Sequence, residues 1–123
     1  MKGTVDESLR ALVPVAIAAG KNLRPVSIDA WLDTAFNGSL VIPRQQIERL
    51  GLKQASTTQA VLADGHVVDL ETFTGYLHWL GKVYRTQIVA NEGEYPLLGT
   101  TLLANCRVVV DYRKLQWEII ESP

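Results

Sequence analysis

The sequence predicts an all-β domain of many short strands carrying one or two short helices. Three observations point there. Apolar and polar residues alternate with period two through several runs. Turn signals interrupt the chain at short intervals. No segment has the length or the apolar period of a long helix. Such a chain closes into a barrel or stacks as a sandwich.

The elements follow in order. Leu9 to Ala19 is rich in β-compatible residues and stops at Gly20-Lys21-Asn22, a hairpin turn signal. Leu23 to Leu32 alternates, with Val26, Ile28, Ala30 and Leu32 on one face and Ser27, Asp29, Trp31 and Asp33 on the other. Pro43 and Gly51 frame a short helix over Arg44 to Leu50. Gln59 to Leu70 holds Asp64-Gly65 between apolar runs, which reads as a type I′ hairpin. Thr72 to Trp79 and Lys82 to Ala90 flank Leu80-Gly81, a second hairpin. Asn91 to Glu94 is a polar loop, and Thr100 to Asn105 suits one short helix after Gly99. Cys106 to Asp111 is a β-branched strand, Tyr112-Arg113-Lys114 a turn, and Leu115 to Ile120 a final strand.

Bulk properties narrow the function classes. The 123 residues suffice for one domain, 1–123, with a real core. With 47% hydrophobic and 20% charged residues the chain reads as globular, not disordered. Its net charge is −1 and its Lys and Arg are scattered, which argues against a nucleic-acid partner. The single cysteine, Cys106, excludes an internal disulfide and fits a reducing compartment. Ala11 to Ala19 is apolar, but it follows Asp6, Glu7 and Arg10, carries Pro14, and is too short to span a bilayer. A strand is the better reading, so no membrane partner and a cytoplasmic location are expected. His66 and His78 fit no zinc spacing, and Cys106 lacks the surroundings of a nucleophile, so neither metal nor cofactor is expected. Trp31, Trp79 and Trp117 have no interleaved basic residues and read as core or interface.

Asp33-Thr34-Ala35 is the part of the chain that suggests chemistry. A carboxylate at the end of a half-buried strand, beside a hydroxyl and a small residue, fits either a turn or a catalytic acid. The sequence around it resembles the retropepsin-like aspartic peptidases, in their single-lobe bacterial and archaeal form. Leu32-Asp33-Thr34-Ala35 is similar to the hydrophobic-Asp-Thr/Ser-Gly signature. Leu40-Val41-Ile42-Pro43 and Arg49-Leu50-Gly51-Leu52 look like that branch. Ala63-Asp64-Gly65 falls where the family has its substrate-covering flap. Leu97-Leu98-Gly99, followed by Thr100-Thr101-Leu102-Leu103, is similar to the two-hydrophobics-then-Gly motif that supports the catalytic loop. The likeness runs from about Leu12 to Ile120.

The resemblance implies a closed retropepsin-like β-barrel and hydrolysis of a peptide or protein substrate by water held between two carboxylates that share one proton. It implies roles for Asp33 as acid and base, Thr34 as brace, and Ala35 as backbone donor to substrate. Ala63, Asp64 and Gly65 would cover the substrate, and Leu97, Leu98 and Gly99 would support the loop. No second Asp in this chain is followed by Thr or Ser and a small residue, so the second carboxylate must come from a second copy, in a symmetric homodimer. In this family the termini commonly form the interfacial sheet, a role that Ile119-Ile120 would suit. Ala35 stands where the family has Gly. If that position has ordinary negative φ, alanine fits at small cost. The alternative on the same fold is a peptide-binding module with weak or no hydrolysis.

Overall fold

The computed structural model describes residues 1–122; Pro123, the last residue of the expected domain, lies outside them. Among the described residues are ten strands: β1 Lys2–Thr4, β2 Leu12–Ala18, β3 Val26–Leu32, β4 Leu40–Pro43, β5 Lys53–Val61, β6 Val67–Trp79, β7 Lys82–Asn91, β8 Leu97–Leu98, β9 Cys106–Asp111 and β10 Gln116–Glu121. One α-helix, α1 Arg44–Leu50, and one 3₁₀ helix, Thr100–Leu103, complete the set.

The larger sheet runs β2-β3-β8-β4-β7-β6-β5, and β2 also pairs with β6. That extra pairing closes a ring of strands and leaves β5 as an appendage. The long strand β6 makes this possible. Its first half pairs with β5, while Tyr76 to His78 pair with Ala18 to Ala16 of β2 on the same edge. Closure removes free edges from the barrel itself. Pro14 fits because β6 pairs with β2 only from Ala16 onward, so no ladder needs a donor from Pro14 on that side.

Period-two alternation fills the barrel. Val13, Val15 and Ile17 of β2 point inward with Ala30 of β3, Leu77 of β6 and Ile88 of β7. The short strand β4 is buried throughout, with Leu40 and Ile42 at 0% exposure, because β7 and β8 flank it and α1 follows it. Gly51 ends the helix in the left-handed conformation at φ 70°.

A smaller sheet, β1-β10-β9, gathers the two ends of the chain. Trp117 at its centre donates from Nε1 to the Leu12 carbonyl at 3.1 Å and fills the space where a side chain on Gly3 would go. This sheet corrects the expected use of Ile119-Ile120 as a free interfacial pair. Ile119 is 1% exposed in this chain's own core, and only Ile120 faces solvent. Strand β10 is central, with β1 on one side and β9 on the other.

Other boundaries shift for local reasons. Leu9 and Leu115 have φ of 62° and 53°, which places them in turns and not in strands. Thr72 to Trp79 is no separate strand but the second half of β6. The helix after Gly99 is a single 3₁₀ turn ending at Leu103. Asp64-Gly65 does not form a type I′ turn. That turn needs positive φ at both central residues, and here Gly65 has it (87°) while Asp64 does not. Leu62 and His66 close a three-residue loop, Ala63-Asp64-Gly65, with the Leu62 N–H donating to the His66 carbonyl at 2.8 Å. Leu80-Gly81, with φ of 49° and 79°, is the hairpin that carries the type I′ signature.

Candidate active site

Strand β3 delivers Asp33 to the surface. Trp31 and Leu32 of β3 pair in parallel with Leu97 and Leu98 of β8, and the Asp33 N–H continues that ladder to the Leu98 carbonyl at 2.9 Å. The chain then turns. The Ala35 N–H donates to Asp33 Oδ1 at 3.0 Å, and the Phe36 N–H to the Asp33 carbonyl at 3.2 Å. Asp33 is half-buried; Thr34 and Ala35 are exposed. Ala35 does not occupy a positive φ, so its methyl group carries no backbone penalty.

Leu97-Leu98-Gly99 lies directly beside this loop. Leu98 is fully buried and bridges β3 to β4. The Gly99 N–H donates to the Ser39 carbonyl at 2.8 Å, the Thr100 N–H to the Phe36 carbonyl at 2.9 Å, and the Thr101 N–H to the Gly38 carbonyl at 3.1 Å. Thr101 Oγ1 adds a bond to the Asn37 carbonyl at 2.8 Å. Four donors from 99–101 thus pin the carbonyls of the loop that follows Asp33. Space is short there: a Cβ on Gly99 would lie 2.2 Å from the Gly38 carbonyl oxygen and 2.7 Å from that of Phe36. The dependence of Phe36 to Ser39 on this support has no sequence signature, because the accepting groups are all backbone carbonyls.

An aromatic and cationic cluster forms around Trp31, two residues before Asp33 in the chain. Trp31, 38% exposed, meets Tyr95 edge-on, with ring centroids 6.4 Å apart. The Arg10 guanidinium lies 4.1 Å from the Tyr95 ring centroid and 5.8 Å from that of Trp31. Asp6 holds Arg10 in place by an Nε–Oδ2 contact of 2.7 Å. The backbone N–H of Arg10 and then its guanidinium hold the Asp6 carboxyl below the usual aspartate range. Trp31, expected at core or interface, is exposed in this chain, and Arg10 and Tyr95, distant in sequence, were not among the expected site residues.

The structure brings Asp33, Thr34 and Ala35 together with Leu97, Leu98 and Gly99. Ala63, Asp64 and Gly65 are carried elsewhere, at the tip of the β5–β6 hairpin. No hydrogen bond or ion pair joins that tip to the Asp33 loop among the described residues. The hairpin is exposed on both faces along β5, and Val61, Leu62 and Val67 near its tip are 73%, 47% and 59% exposed.

Asp64 organises that tip. Its Oδ1 accepts from the His66 N–H at 3.0 Å and its Oδ2 faces His66 Nδ1 at 2.8 Å. The backbone bond first, then the side-chain bond, lowers the Asp64 carboxyl below its ordinary value. A depressed acid stabilises its fold at pH above the ordinary aspartate range and loses that contribution as pH falls through the folded value. The His66 amide is therefore expected to be protected at neutral pH, with a protection factor, relative to the intrinsic rate at each pH, that falls in strong acid. Amide exchange across that range measures it, and Asp64→Asn should remove the acid-side change.

No group of three or more His, Cys, Asp and Glu is placed to hold a metal among the described residues. Burial, and next the charge of Glu121, push the Cys106 thiol up, away from the thiolate a nucleophile needs. No described helix is long and apolar enough to cross a membrane.

The domain is a closed β-barrel with an Asp-Thr loop at one strand end, braced by Leu97-Leu98-Gly99. Solved structures agree on the fold. A retropepsin-like aspartic protease from Rickettsia conorii is similar over 99% of this chain and 90% of its own, at 15% identity and a TM-score of 0.66. EIAV protease, solved with the inhibitor HBY-793, is similar over 83% and 92%, at 21% identity and a TM-score of 0.55. The retroviral protease-like domain of Ddi1 from Leishmania major is similar over 93% and 94%, at 12% identity and a TM-score of 0.51. No family model and no curated protein matches the sequence. The chain has a retropepsin-like fold.

Proposed function

We propose that this protein is an aspartic endopeptidase whose catalytic dyad forms from the Asp33 carboxylates of two copies. The observation that carries the reading is the Asp33 loop itself. Its carboxylate is half-exposed at a strand end and held by the Ala35 N–H, and the loop behind it is fixed by four donors from 99–101. A preorganised carboxylate at a surface, in a fold similar to known proteases, is what a shared dyad requires.

The roles follow from the chemistry. With one proton between two close carboxylates, the ionised one takes a proton from water as it attacks the scissile carbonyl. The protonated one donates to the carbonyl oxygen. Collapse of the tetrahedral intermediate returns a proton to the leaving amine and regenerates the shared state. Thr34, exposed beside Asp33, would brace the two loops against each other. The Ala35 backbone would face substrate, and the hairpin tip at Ala63, Asp64 and Gly65 would close over it and exclude water. Trp31 and Tyr95 would offer an apolar wall to a substrate side chain, with Arg10 setting their position. No metal or cofactor enters the mechanism.

Because the pair titrates as a unit, cleavage should follow a bell-shaped profile in the mildly acidic to near-neutral range. The test is digestion of an unbiased peptide mixture by the pure protein across that range, read by mass spectrometry. Internal cleavage with a bell-shaped profile is expected. Peptide binding with no cleavage at any pH would replace this reading with that of a binding module.

A further inference from the structure

Strand β3 is open along half of one edge, and the reason is a proline. On one side it pairs with β2 from Val26 to Trp31. On the other it pairs with β8 only at Trp31 and Leu32. The Trp31 N–H donates to the Pro96 carbonyl at 2.8 Å. The next rung toward the start of β3 would run from the N–H of residue 96 to the Asp29 carbonyl. Residue 96 is proline and has no N–H, so the ladder stops there. Backbone groups alternate between the two edges of a strand, and the Leu32 N–H goes to the Ala11 carbonyl on the β2 side. Ser27 and Asp29 therefore turn their N–H and C=O groups to the open edge, where they have no backbone partner among the described residues.

A groove of about 430 Å³ lies against this edge. Helix α1 forms one wall through Leu50, and the segment Glu94-Tyr95-Pro96 forms another. Side chains from both faces of the sheet reach it. Val26 and Ile28 lie on the face of β3 that carries buried Ala30, and Val26 is 52% exposed. Leu12 pairs with Trp31 and so shares the opposite face with Asp29. Asp29, Glu94 and Arg49 also line the groove, and none of them makes an ion pair among the described residues. Two acids against one arginine leave the groove net negative.

We infer that this groove binds an extended segment of the protein substrate, outside the cleft, as a strand added to the open edge of β3. The inference rests on the peptidase reading above and names a second place where that substrate is held. Ser27 and Asp29 supply the main-chain hydrogen bonds. An added strand sends alternate side chains to opposite faces, so an apolar residue meets Val26, Ile28 and Leu50 while its neighbour meets Leu12 and Asp29. The net negative lining selects a basic residue at that second position. Walls on both sides admit a single chain and shut out the edge of another sheet. The course of β3 argues for substrate as the occupant. From Asp29 the strand leads to Asp33, roughly 13 Å further along. Tyr95 belongs both to this groove and to the cluster around Trp31.

The probe is the pentapeptide Thr-Ile-Lys-Ile-Thr, acetylated and amidated, added to Asp33→Asn protein so that it is not cut. Calorimetry should show binding. Amide exchange should slow roughly tenfold at Ser27 and Asp29, and not at Ile28 and Ala30, whose N–H groups already serve β2. N-methylation of alternate peptide residues should weaken binding in one set and spare the other, which apolar adhesion alone would not do. Asp29→Lys sets like charges together and should weaken binding roughly tenfold. Asp29 is exposed, so circular dichroism should not change. With wild-type protein, the probe should raise the KM for reduced casein severalfold and leave kcat unchanged, and Asp29→Lys should escape that competition. No binding at millimolar probe, or protection away from Ser27 and Asp29, would overturn the groove. Binding that leaves the casein KM unchanged would overturn substrate as its occupant. Probe binding with no casein cleavage by wild type would sink the peptidase reading and leave the groove standing as a peptide site.

Discussion

Asparagine at position 33 is expected to abolish peptide cleavage, with a loss of about 10³-fold or more, the scale of a positioned acid–base group. The physical contrast is narrow. Asn keeps the size of Asp, and its Oδ1 can still accept from the Ala35 N–H, the bond that shapes the turn. The ladder bond from the residue-33 N–H to the Leu98 carbonyl is untouched. What disappears is the charge and the titrating oxygen. Stability should therefore stay within about 0.5 kcal/mol of wild type, the usual range for surface changes. Thermal denaturation beside a cleavage assay separates the two effects. Cleavage that survives in Asp33→Asn would remove Asp33 from the chemistry.

The second large effect is expected at Gly99. Alanine there would place a Cβ 2.2 Å from the Gly38 carbonyl oxygen and 2.5 Å from the Phe36 ring. Backbone cannot yield as a flexible side-chain tip can. The loop carrying Asp33 or the 3₁₀ turn must move, and the donors at Gly99, Thr100 and Thr101 lose their geometry. A cost of about 3 kcal/mol is expected, at the upper end of the overpacking range, with a fall in Tm of roughly 10 °C. Cleavage should drop as well, because the Asp33 loop loses its support. Gly65→Ala is the informative contrast. Its φ of 87° strains alanine, but a Cβ there meets nothing within 4 Å. Only the backbone term of about 1 kcal/mol remains, localised at the hairpin tip. If Gly99→Ala melts like wild type, the account of the loop's bracing fails.

The class of fold was legible in the sequence, but the closure of the barrel was not. Period-two alternation marked β2 and β3, and Pro43 with Gly51 framed α1 at the bounds the structure has. Closure was not legible, because it rests on β6 running unbroken from Val67 to Trp79 so that Tyr76 to His78 can reach β2. No local pattern reports a strand that changes partner along one edge. Strand β1 was missed because Lys2–Thr4 has no apolar residue and gains its structure from β10. Ile119 and Ile120 looked alike in sequence, yet neighbouring residues of a strand face opposite sides, so one is core and the other is not.

At the site, Asp33, Thr34, Leu97, Leu98 and Gly99 could be named from the chain, since each belongs to a short contiguous motif. Ala35 raised a question of backbone geometry that only its φ could answer, and that φ is ordinary. Arg10 and Tyr95 escaped notice because their link to Trp31 is tertiary.

The central claim is that each active site takes one Asp33 from each of two copies. Titrating Asp33→Asn protein into wild type, with time for the copies to exchange, tests it most directly. With wild type and variant equal, roughly one quarter of pairs keep both aspartates, so activity should follow the square of the wild-type fraction. Activity that falls in simple proportion to that fraction would show that each copy works alone and would contradict the shared dyad.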